Sequence, residues 1–381
     1  MKILQVYKDY YPPVKGGIEN HINMLATGLK DKGADVQVLV SNVKNQFECD
    51  IVNGIPVIKV PQWGRLFSAP LTTAFYCYLK QFGKTADIIH FHHPNPTAEF
   101  SYLFTKLKKK VVVTYHSDII RQSKLAKLYS PFRYMFLEIA DRIIAASPNY
   151  IKTSDVLKCF EYKCTVIPYG INPARFNSTG DLQRVAQILS DVGHRPIVLF
   201  VGRFRYYKGL HFLVSAMKDV DAILFLIGTG PEETRLRNLV NLEKLNGKIR
   251  FLGDLPDDDV NAYYKACDVF VLPSHLRSEA FGIVQLEAMC CGKPVISTEI
   301  GTGTSFVNIN LQTGITVPPN DSRALSGALN YILQNSEKRK LFGNRGSERV
   351  ARLFTARKMV DSTYEVYEQV IRNHNCTLYR R

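Results

Sequence analysis

No run of apolar residues in this chain approaches the roughly 18 that a membrane-spanning helix needs, so no helical span is expected. There is no low-complexity tract and no short-period repeat, which sets aside fibrous and solenoid classes. Cysteine is present without pattern: Cys49, Cys77, Cys159, Cys164, Cys267, Cys290, Cys291 and Cys376 fall at no CxxC spacing and make no disulfide framework. Most lie in apolar stretches, which predicts reduced core residues and a cytosolic protein. The opening residues Met1 to Tyr7 lack the layout of a secretory signal and read as a β-strand entering a loop. Acidic residues are the scarcer charge: 49 lysines and arginines stand against 34 aspartates and glutamates, a net of +15.

That excess is uneven. Residues 1–175 carry a net of +10 and the remainder +5. A basic first half points to a polyanionic partner: a membrane surface, a nucleic acid or a phosphorylated substrate. Lys106, Lys108, Lys109 and Lys110 close an apolar, aromatic helix running from Phe100 to Leu107. A second segment, Ile119 to Ile139, mixes Arg121, Lys124, Lys127 and Arg133 with leucines and aromatics. The combination suits anionic lipid headgroups; its plainer reading is a solvated helix face.

At 381 residues the chain exceeds one typical core, so two domains are expected. The first half alternates short Val/Ile runs with helical stretches: strands at Ile3–Tyr7, Val36–Val40, Ile88–His90, Val111–Tyr115, Arg142–Ala146 and Thr165–Ile167, and a helix at Ile18–Lys30. After the polar connection Asn177-Ser178-Thr179-Gly180 the pattern restarts, with strands at Ile197–Val201, Ala222–Ile227, Ile249–Leu252, Val269–Leu272, Val295–Ser297 and Ile315–Val317. Such alternation predicts parallel sheets covered on both faces, with ligands outside the carboxyl ends of the strands. Helices at about 323–334 and 355–372 follow from their apolar period.

Chemistry-bearing residues cluster at those strand ends. The richest stretch is Ser274 to Pro294, SHLRSEAFGIVQLEAMCCGKP. Glu279 falls in a loop after a strand. Glu287 falls about two turns into a helix expected to begin near Phe281-Gly282 and to stop at Gly292. The first amides of that helix suit an anion, so the segment offers a carboxylate for sugar hydroxyls, amides for phosphate and a carboxylate for ribose. Its plainer reading is an amphipathic helix with two exposed glutamates. Arg203 and Lys208, in VGRFRYYKG, can grip a diphosphate as a fork and a point charge. Gly16-Gly17 opens the first helix and permits close backbone approach. Gly228-Thr229-Gly230-Pro231 and Phe251-Leu252-Gly253 end two more strands and can seat a nucleotide and its base; alone, each is an ordinary turn. His116 leaves a strand in the first half, one strand after His90, His92 and His93. These histidines lack a matching Cys, Asp or Glu spacing, so no metal is expected.

In their order and spacing, these features resemble the retaining family 4 glycosyltransferases of GT-B fold, over essentially the whole chain. VVVTYHSDIIRQSKL, FRYYKGL, SHLRSEAFGI and EIGTGTSF look most like the bacterial O-antigen mannosyltransferases that use GDP-mannose; some relatives of those enzymes transfer D-rhamnose. The resemblance implies an α/β fold of two Rossmann-like domains facing a cleft. We expect an acceptor domain at 1–176, a linker at 177–192, a donor domain at 193–354, and a helical segment at 355–381 packing back toward the first domain. It implies that the Gly17 amide, Arg203 and Lys208 hold the donor diphosphate and that Glu287 holds the ribose. Glu279, with the amides near Phe281 and Gly282, would hold the transferred sugar, and His116 would stand beside it. Gly16, Gly228, Gly230 and Phe251 complete the expected donor site. The implied partners are a GDP-sugar, a lipid-linked saccharide acceptor and the anionic inner face of the bacterial cytoplasmic membrane, with no metal and no nucleic acid. One departure is visible: IPYGIN carries Tyr169 where many members carry Asn. Other readings are an epimerase or a UDP-sugar transferase of the same fold, a basic membrane scaffold, which leaves the paired glutamates unexplained, and a nucleic-acid binder, for which no recognised module is present.

Overall fold

The structure, a computed structural model, describes residues 1–12, 14, 16–66, 69–119, 123–176 and 182–378, with the side chains of 123–127 and 373–378 outside that description. Arg121, the side chains of Lys124 and Lys127, and the connection at 177–180 therefore lie outside the described residues.

The chain forms two units, Met1–Gly170 with Ala356–Arg381, and Ile171–Thr355. Each is α/β around a mainly or wholly parallel sheet. In the first unit the strands are β1 (Lys2–Val6), β2 (Asp35–Ser41), β3 (Glu48–Val52), β4 (Ile55–Val60), the small hairpin β5 (Gly64–Leu66) and β6 (Ala69–Leu71), β7 (Ile88–His93), β8 (Lys110–Tyr115), β9 (Arg142–Ala145) and β10 (Cys164–Val166). Eight of them make one sheet in the order β10-β9-β8-β7-β1-β2-β4-β3. Only β3 runs antiparallel there, turned back on β4 through Asn53-Gly54, both left-handed (φ 51° and 72°), as a two-residue hairpin demands. The sheet grows in one direction from β1 through β2 and in the other through β7. The β1/β7 boundary is thus its switch point, where side chains at the carboxyl ends of neighbouring strands splay to leave a crevice. All six residues of β7 are buried, three of them histidines.

The C-terminal helix, Ala356–Leu378, belongs to this first unit. It packs on the helix Gly17–Asp31, where Gly28 makes room: a Cβ there would meet Val360 Cγ2 at 2.5 Å. Lys32 Nζ reaches Asp361 at 2.8 Å, and Tyr367 reaches down to His90 at 2.5 Å.

The second unit carries β11 (Ile197–Val201), β12 (Ile223–Ile227), β13 (Ile249–Gly253), β14 (Val269–Leu272), β15 (Val295–Thr298) and β16 (Gly314–Val317) in the order β13-β12-β11-β14-β15-β16, all parallel. Its switch point is β11/β14. The stretch expected as a linker is not all linker. Residues Leu182–Asp191 form a helix that packs on Asp257–Ala266, with Arg184 Nε 3.1 Å from Asp259. None of the seven described cysteines is in a disulfide, but they are not mostly core as their apolar surroundings had suggested. Cys267 is buried, while Cys49, Cys77 and Cys159 are exposed, because strand and helix edges place one face of an apolar run outward.

Candidate active site

In the second unit the site is built from loops that leave β11, β12 and β14. The first two touch backbone to backbone: Phe204 N donates to Thr229 O (2.8 Å), and Gly202 N to Ile227 O (3.0 Å). Glycine is required at that contact. A Cβ on Gly228, at φ 120°, would lie 2.3 Å from Gly202 O, and one on Gly230 would lie 2.4 Å from Phe204 O. Gly228 and Gly230 therefore shape the loop that presents Arg203 and Lys208.

Lys208 ends the short turn Tyr206–Lys208 and is buried. Its Nζ meets Glu279 Oε2 at 2.5 Å across 71 residues of sequence, and Ser274 Oγ donates to the same oxygen at 3.0 Å. Burial pulls the Lys208 ammonium down, but the adjoining Glu279 carboxylate wins and holds it above the ordinary lysine value. Thr302 Oγ1 fixes the Glu279 carbonyl from the far side at 2.7 Å. Arg203 is exposed, and its side chain makes no hydrogen bond or ion pair among the described residues.

The helix after Glu279 is Ile283–Cys290, opened by Gly282 in a left-handed conformation (φ 77°) and followed by left-handed Gly292 (φ 67°), close to the expected start and stop. Phe281 is buried edge-on against Phe354 at 6.0 Å. Glu287 accepts from the Tyr264 hydroxyl at 2.8 Å. Burial raises its carboxyl, partly opposed by that hydrogen bond. Phe251 does not present a bare ring: Phe204 meets it edge-on, and the Arg237 guanidinium lies 4.3 Å from its centroid.

In the first unit, Gly16 caps the helix Gly17–Asp31. The Glu19 carboxylate folds back over it, so closely that a Cβ on Gly16 would meet Glu19 Oε2 at 2.2 Å. Burial raises the Glu19 carboxyl. Beside it Arg65 clasps Asp9 through both guanidinium arms, one contact at 3.0 Å and one at 2.5 Å.

His116 follows β8 and is buried, with both ring nitrogens engaged: Nε2 lies 3.0 Å from His92 Nδ1 and Nδ1 lies 2.5 Å from the Tyr169 hydroxyl. His92 continues to Gln5 Oε1 at 3.1 Å. His21, from the helix that Gly16 caps, stands 5.4 Å from His116 and 4.8 Å from Tyr169 between ring centroids, and neither of its nitrogens has a partner. Burial keeps all these imidazoles neutral, lowering His21 to about 4 and His90 to about 3. Nitrogens of His21, His92 and His116 lie within 4.8 Å of one another. The set contains no carboxylate to offset a buried dication, and two of the three nitrogens already share one hydrogen bond.

Sequence reasoning named His116, His92 and His90 but missed Gln5, His21 and Tyr169 as their neighbours. The departure at Tyr169 was the available signal. It also missed Tyr264 under Glu287.

The expected lipid face divides. Lys106 and Lys108 are exposed, but Lys110 is committed to Asp141 at 2.7 Å, whose other oxygen takes the Val111 amide. Lys110 thus anchors the start of β8 rather than facing outward, a correction to its grouping with the other lysines. Beside Lys106, the helices Pro96–Thr105 and Ser123–Ile139 expose Phe100, Phe104, Leu128, Met135 and Ile139. Among the described residues no helix is long and apolar enough to cross a membrane.

Residues 15–175 match the family described as Glycosyltransferase Family 4, and residues 185–349 match Glycosyl transferases group 1. The O-antigen chain mannosyltransferase C of Escherichia coli is 38% identical over 97% of this chain and 99% of its own. This chain belongs to the family 4 glycosyltransferases. The D-rhamnosyltransferase WbpZ of Pseudomonas aeruginosa is 37% identical over 93% of each chain. Among solved structures, the sucrose-phosphate synthase of Thermosynechococcus elongatus superposes with a TM-score of 0.83 at 26% identity, covering 98% of this chain and 99% of that one. The glycosyltransferase is therefore of GT-B fold, with the parallel sheets of its two units as the two Rossmann-like halves.

Proposed function

We propose that this glycosyltransferase moves mannose from GDP-mannose, with retention, to a lipid-linked saccharide such as N-acetylglucosaminyl diphospho-undecaprenol in O-antigen synthesis. The observation that carries the reading is the buried Lys208–Glu279 pair at the β11/β14 switch point, with exposed Arg203 on the same loop as Lys208. Charge on the departing diphosphate is the largest demand of the reaction, and pre-placed cations and helix amides meet it without a metal. We assign Arg203, Lys208 and the amides after Gly282 to the diphosphate and Glu287 to the ribose. Glu279 takes the transferred sugar once Lys208 turns from it to phosphate. Gly228 and Gly230 shape the nucleotide seat. Because Phe251 is already covered by Arg237, we give it the role of a wall rather than an open stacking surface. The first unit's share is the Gly16-Gly17 turn for phosphate and His116 beside the sugar. The acceptor attacks the face the diphosphate leaves, and a phosphate oxygen takes its proton; a covalent glycosyl adduct trapped on Glu279 would overturn that order of events.

Support for mannose and for O-antigen comes from the 38% identical relative; the 37% identical rhamnosyltransferase supports GDP-D-rhamnose as the second reading. Turnover with GDP-mannose, GDP-D-rhamnose and UDP-sugars, on N-acetylglucosaminyl diphosphate carrying a lipid-like tail, tests both. Transfer from GDP-mannose is the expected result. Transfer from GDP-D-rhamnose alone selects the second reading, and no transfer from either GDP-sugar overturns both. We also propose that the enzyme works at the inner face of the cytoplasmic membrane, through exposed Lys106 and Lys108 beside Phe100 and Phe104. Absence of flotation with anionic liposomes at low salt would remove that claim.

A further inference from the structure

Under the first unit's switch point, four buried side chains form one directed hydrogen-bond chain: Gln5, His92, His116 and Tyr169. Gln5 turns Oε1 toward His92 Nε2 at 3.1 Å, with its own Nε2 buried and without a hydrogen-bond partner, an orientation that the histidine spectra test. An amide oxygen only accepts, so that nitrogen carries the proton. A neutral imidazole has a single N–H, so His92 Nδ1 is bare and accepts from His116 Nε2–H at 3.0 Å. His116 Nδ1 is then bare in turn and takes the Tyr169 O–H at 2.5 Å. Each proton position follows from the one before it, and the orientation of the Gln5 carboxamide sets them all. The groups facing His116 do not break the sequence. Tyr7 and Lys8 follow the end of β1, His90 and His93 come from β7, and His21 from the neighbouring helix. Burial first, then these neighbours, disfavours a second proton on the ring.

We propose that Gln5, His92 and Tyr169 are positioning residues that hold His116 as its Nε2–H tautomer, leaving Nδ1 as an acceptor that exchanges the Tyr169 hydroxyl for a hydroxyl of the transferred sugar. This rests on the reading of His116 as the residue beside that sugar. On this account His116 recognises a hydroxyl as a donor and supplies no proton to the reaction. Tyr169 keeps Nδ1 satisfied while the site is empty, which spares a buried imidazole nitrogen the cost of having no partner.

The test has a spectroscopic arm and a kinetic arm. In full-length protein labelled with 15N-histidine, without substrate, His92 and His116 should each show a protonated Nε2 and a bare Nδ1. Tyr169→Phe should move the His116 Nδ1 resonance most. Kinetically, His92→Asn keeps an oxygen acceptor near the Nδ1 position and should stay within about fivefold of wild type. His92→Leu removes the acceptor, and the misplaced ring should cost about a hundredfold in kcat with little change in donor KM. Tyr169→Phe removes the competing hydroxyl and should lower donor KM severalfold. A proton on His116 Nδ1, or equal losses in the Asn and Leu variants of His92, overturns the proposal by itself. Full activity in His116→Ala overturns it through the reading it rests on, a separate outcome because the NMR arm needs no activity.

Discussion

The two switch points of this glycosyltransferase solve opposite electrostatic problems. The second unit keeps charge inside, in the buried Lys208–Glu279 pair with Arg203 exposed beside it. The first unit keeps the histidine cluster at its switch point neutral, with His21, His90, His92 and His116 stripped of their protons by burial, while away from that cluster it buries the Glu99 carboxylate against His93 and clasps Asp9 with Arg65, and it exposes cations at Lys106 and Lys108. The same topology, a parallel sheet whose order reverses at one pair of strands, holds a buried ion pair at one switch point and a chain of neutral imidazoles at the other, which we propose as an anion site and a hydroxyl-reading site. Fold therefore supplies the place, and side chains decide the chemistry.

The largest expected effect separates charge that acts from charge that also holds the structure. Arg203→Ala and Lys208→Ala should each lower turnover at least about a hundredfold. They should differ in stability. Lys208→Ala leaves Glu279 buried without its counter-ion and should cost about 3–5 kcal/mol in urea unfolding. Arg203 is exposed and unpaired among the described residues, so its removal should change stability by less than about 0.5 kcal/mol. Equal stability losses would erase the distinction between them, and a near-wild-type rate in either would count against the site.

Next in size is a pH effect carried mainly by the buried histidines of the first unit. Each buried imidazole is depressed in the folded state and takes a proton near the ordinary value, 6.5, once unfolded. The unfolded chain therefore binds more protons below that value, and stability should fall as pH drops from about 6.5 toward the folded values, about 4 for His21 and about 3 for His90. Each group removes up to roughly 1.4 kcal/mol per pH unit in that window. Glu19 and Glu287, both raised by burial, act with the opposite sign, gaining a proton in the folded state first; the four buried imidazoles, joined by His211 and His275 that partial burial also lowers, outweigh those two carboxyls. Urea midpoints at pH 7, 6 and 5 measure the balance. A flat profile would mean that the histidines titrate normally and that their cluster is not held neutral by burial.

A smaller effect tests the outer charge. Near an anionic surface each lysine contributes about 1 kcal/mol, so replacing Lys106 and Lys108 by Ala should weaken liposome flotation about fivefold apiece at low salt. Lys110→Ala should leave flotation unchanged and instead lower stability, because its ammonium is held by Asp141. If all three behaved alike, the assignment of Lys110 to the sheet would be wrong.

The two units were not equally legible. Parallel strands and the Glu279…Glu287 segment could be read because Val/Ile runs and glycine turns are local signals. The β3/β4 hairpin escaped, since Glu48 and Asp50 break the apolar alternation on an exposed edge strand, although Asn53-Gly54 announced its turn. The helix Ser336–Leu353 escaped as well: it buries only a narrow stripe, Phe342, Gly343, Gly346 and Val350, in a largely polar segment. Lys110 looked like its neighbours until Asp141 was brought beside it from 31 residues away. The histidine chain was the least legible, because Gln5 and Tyr169 join it only through strand register and a returning loop. Spacing carries no record of such contacts.

The smallest expected effect is none. His21, His92 and His116 are the group of three among the described residues whose nitrogens could gather on one ion, and neutral imidazole is the form that binds metal. Yet a dication there would sit in a fully buried cluster with no carboxylate in the set, and the bond between His92 Nδ1 and His116 Nε2 would have to give up its proton. On the proposed assignment, Arg203 and Lys208 supply the positive charge that the leaving diphosphate needs. Treatment with EDTA followed by dialysis should therefore change turnover by less than about twofold, a difference of under about 0.4 kcal/mol in barrier. Loss of activity restored by zinc but not by magnesium would move the positive charge of catalysis into the first unit. It would collapse the contrast between a charged crevice and a neutral one, because three nitrogen ligands suit zinc and hard oxygen sites suit magnesium.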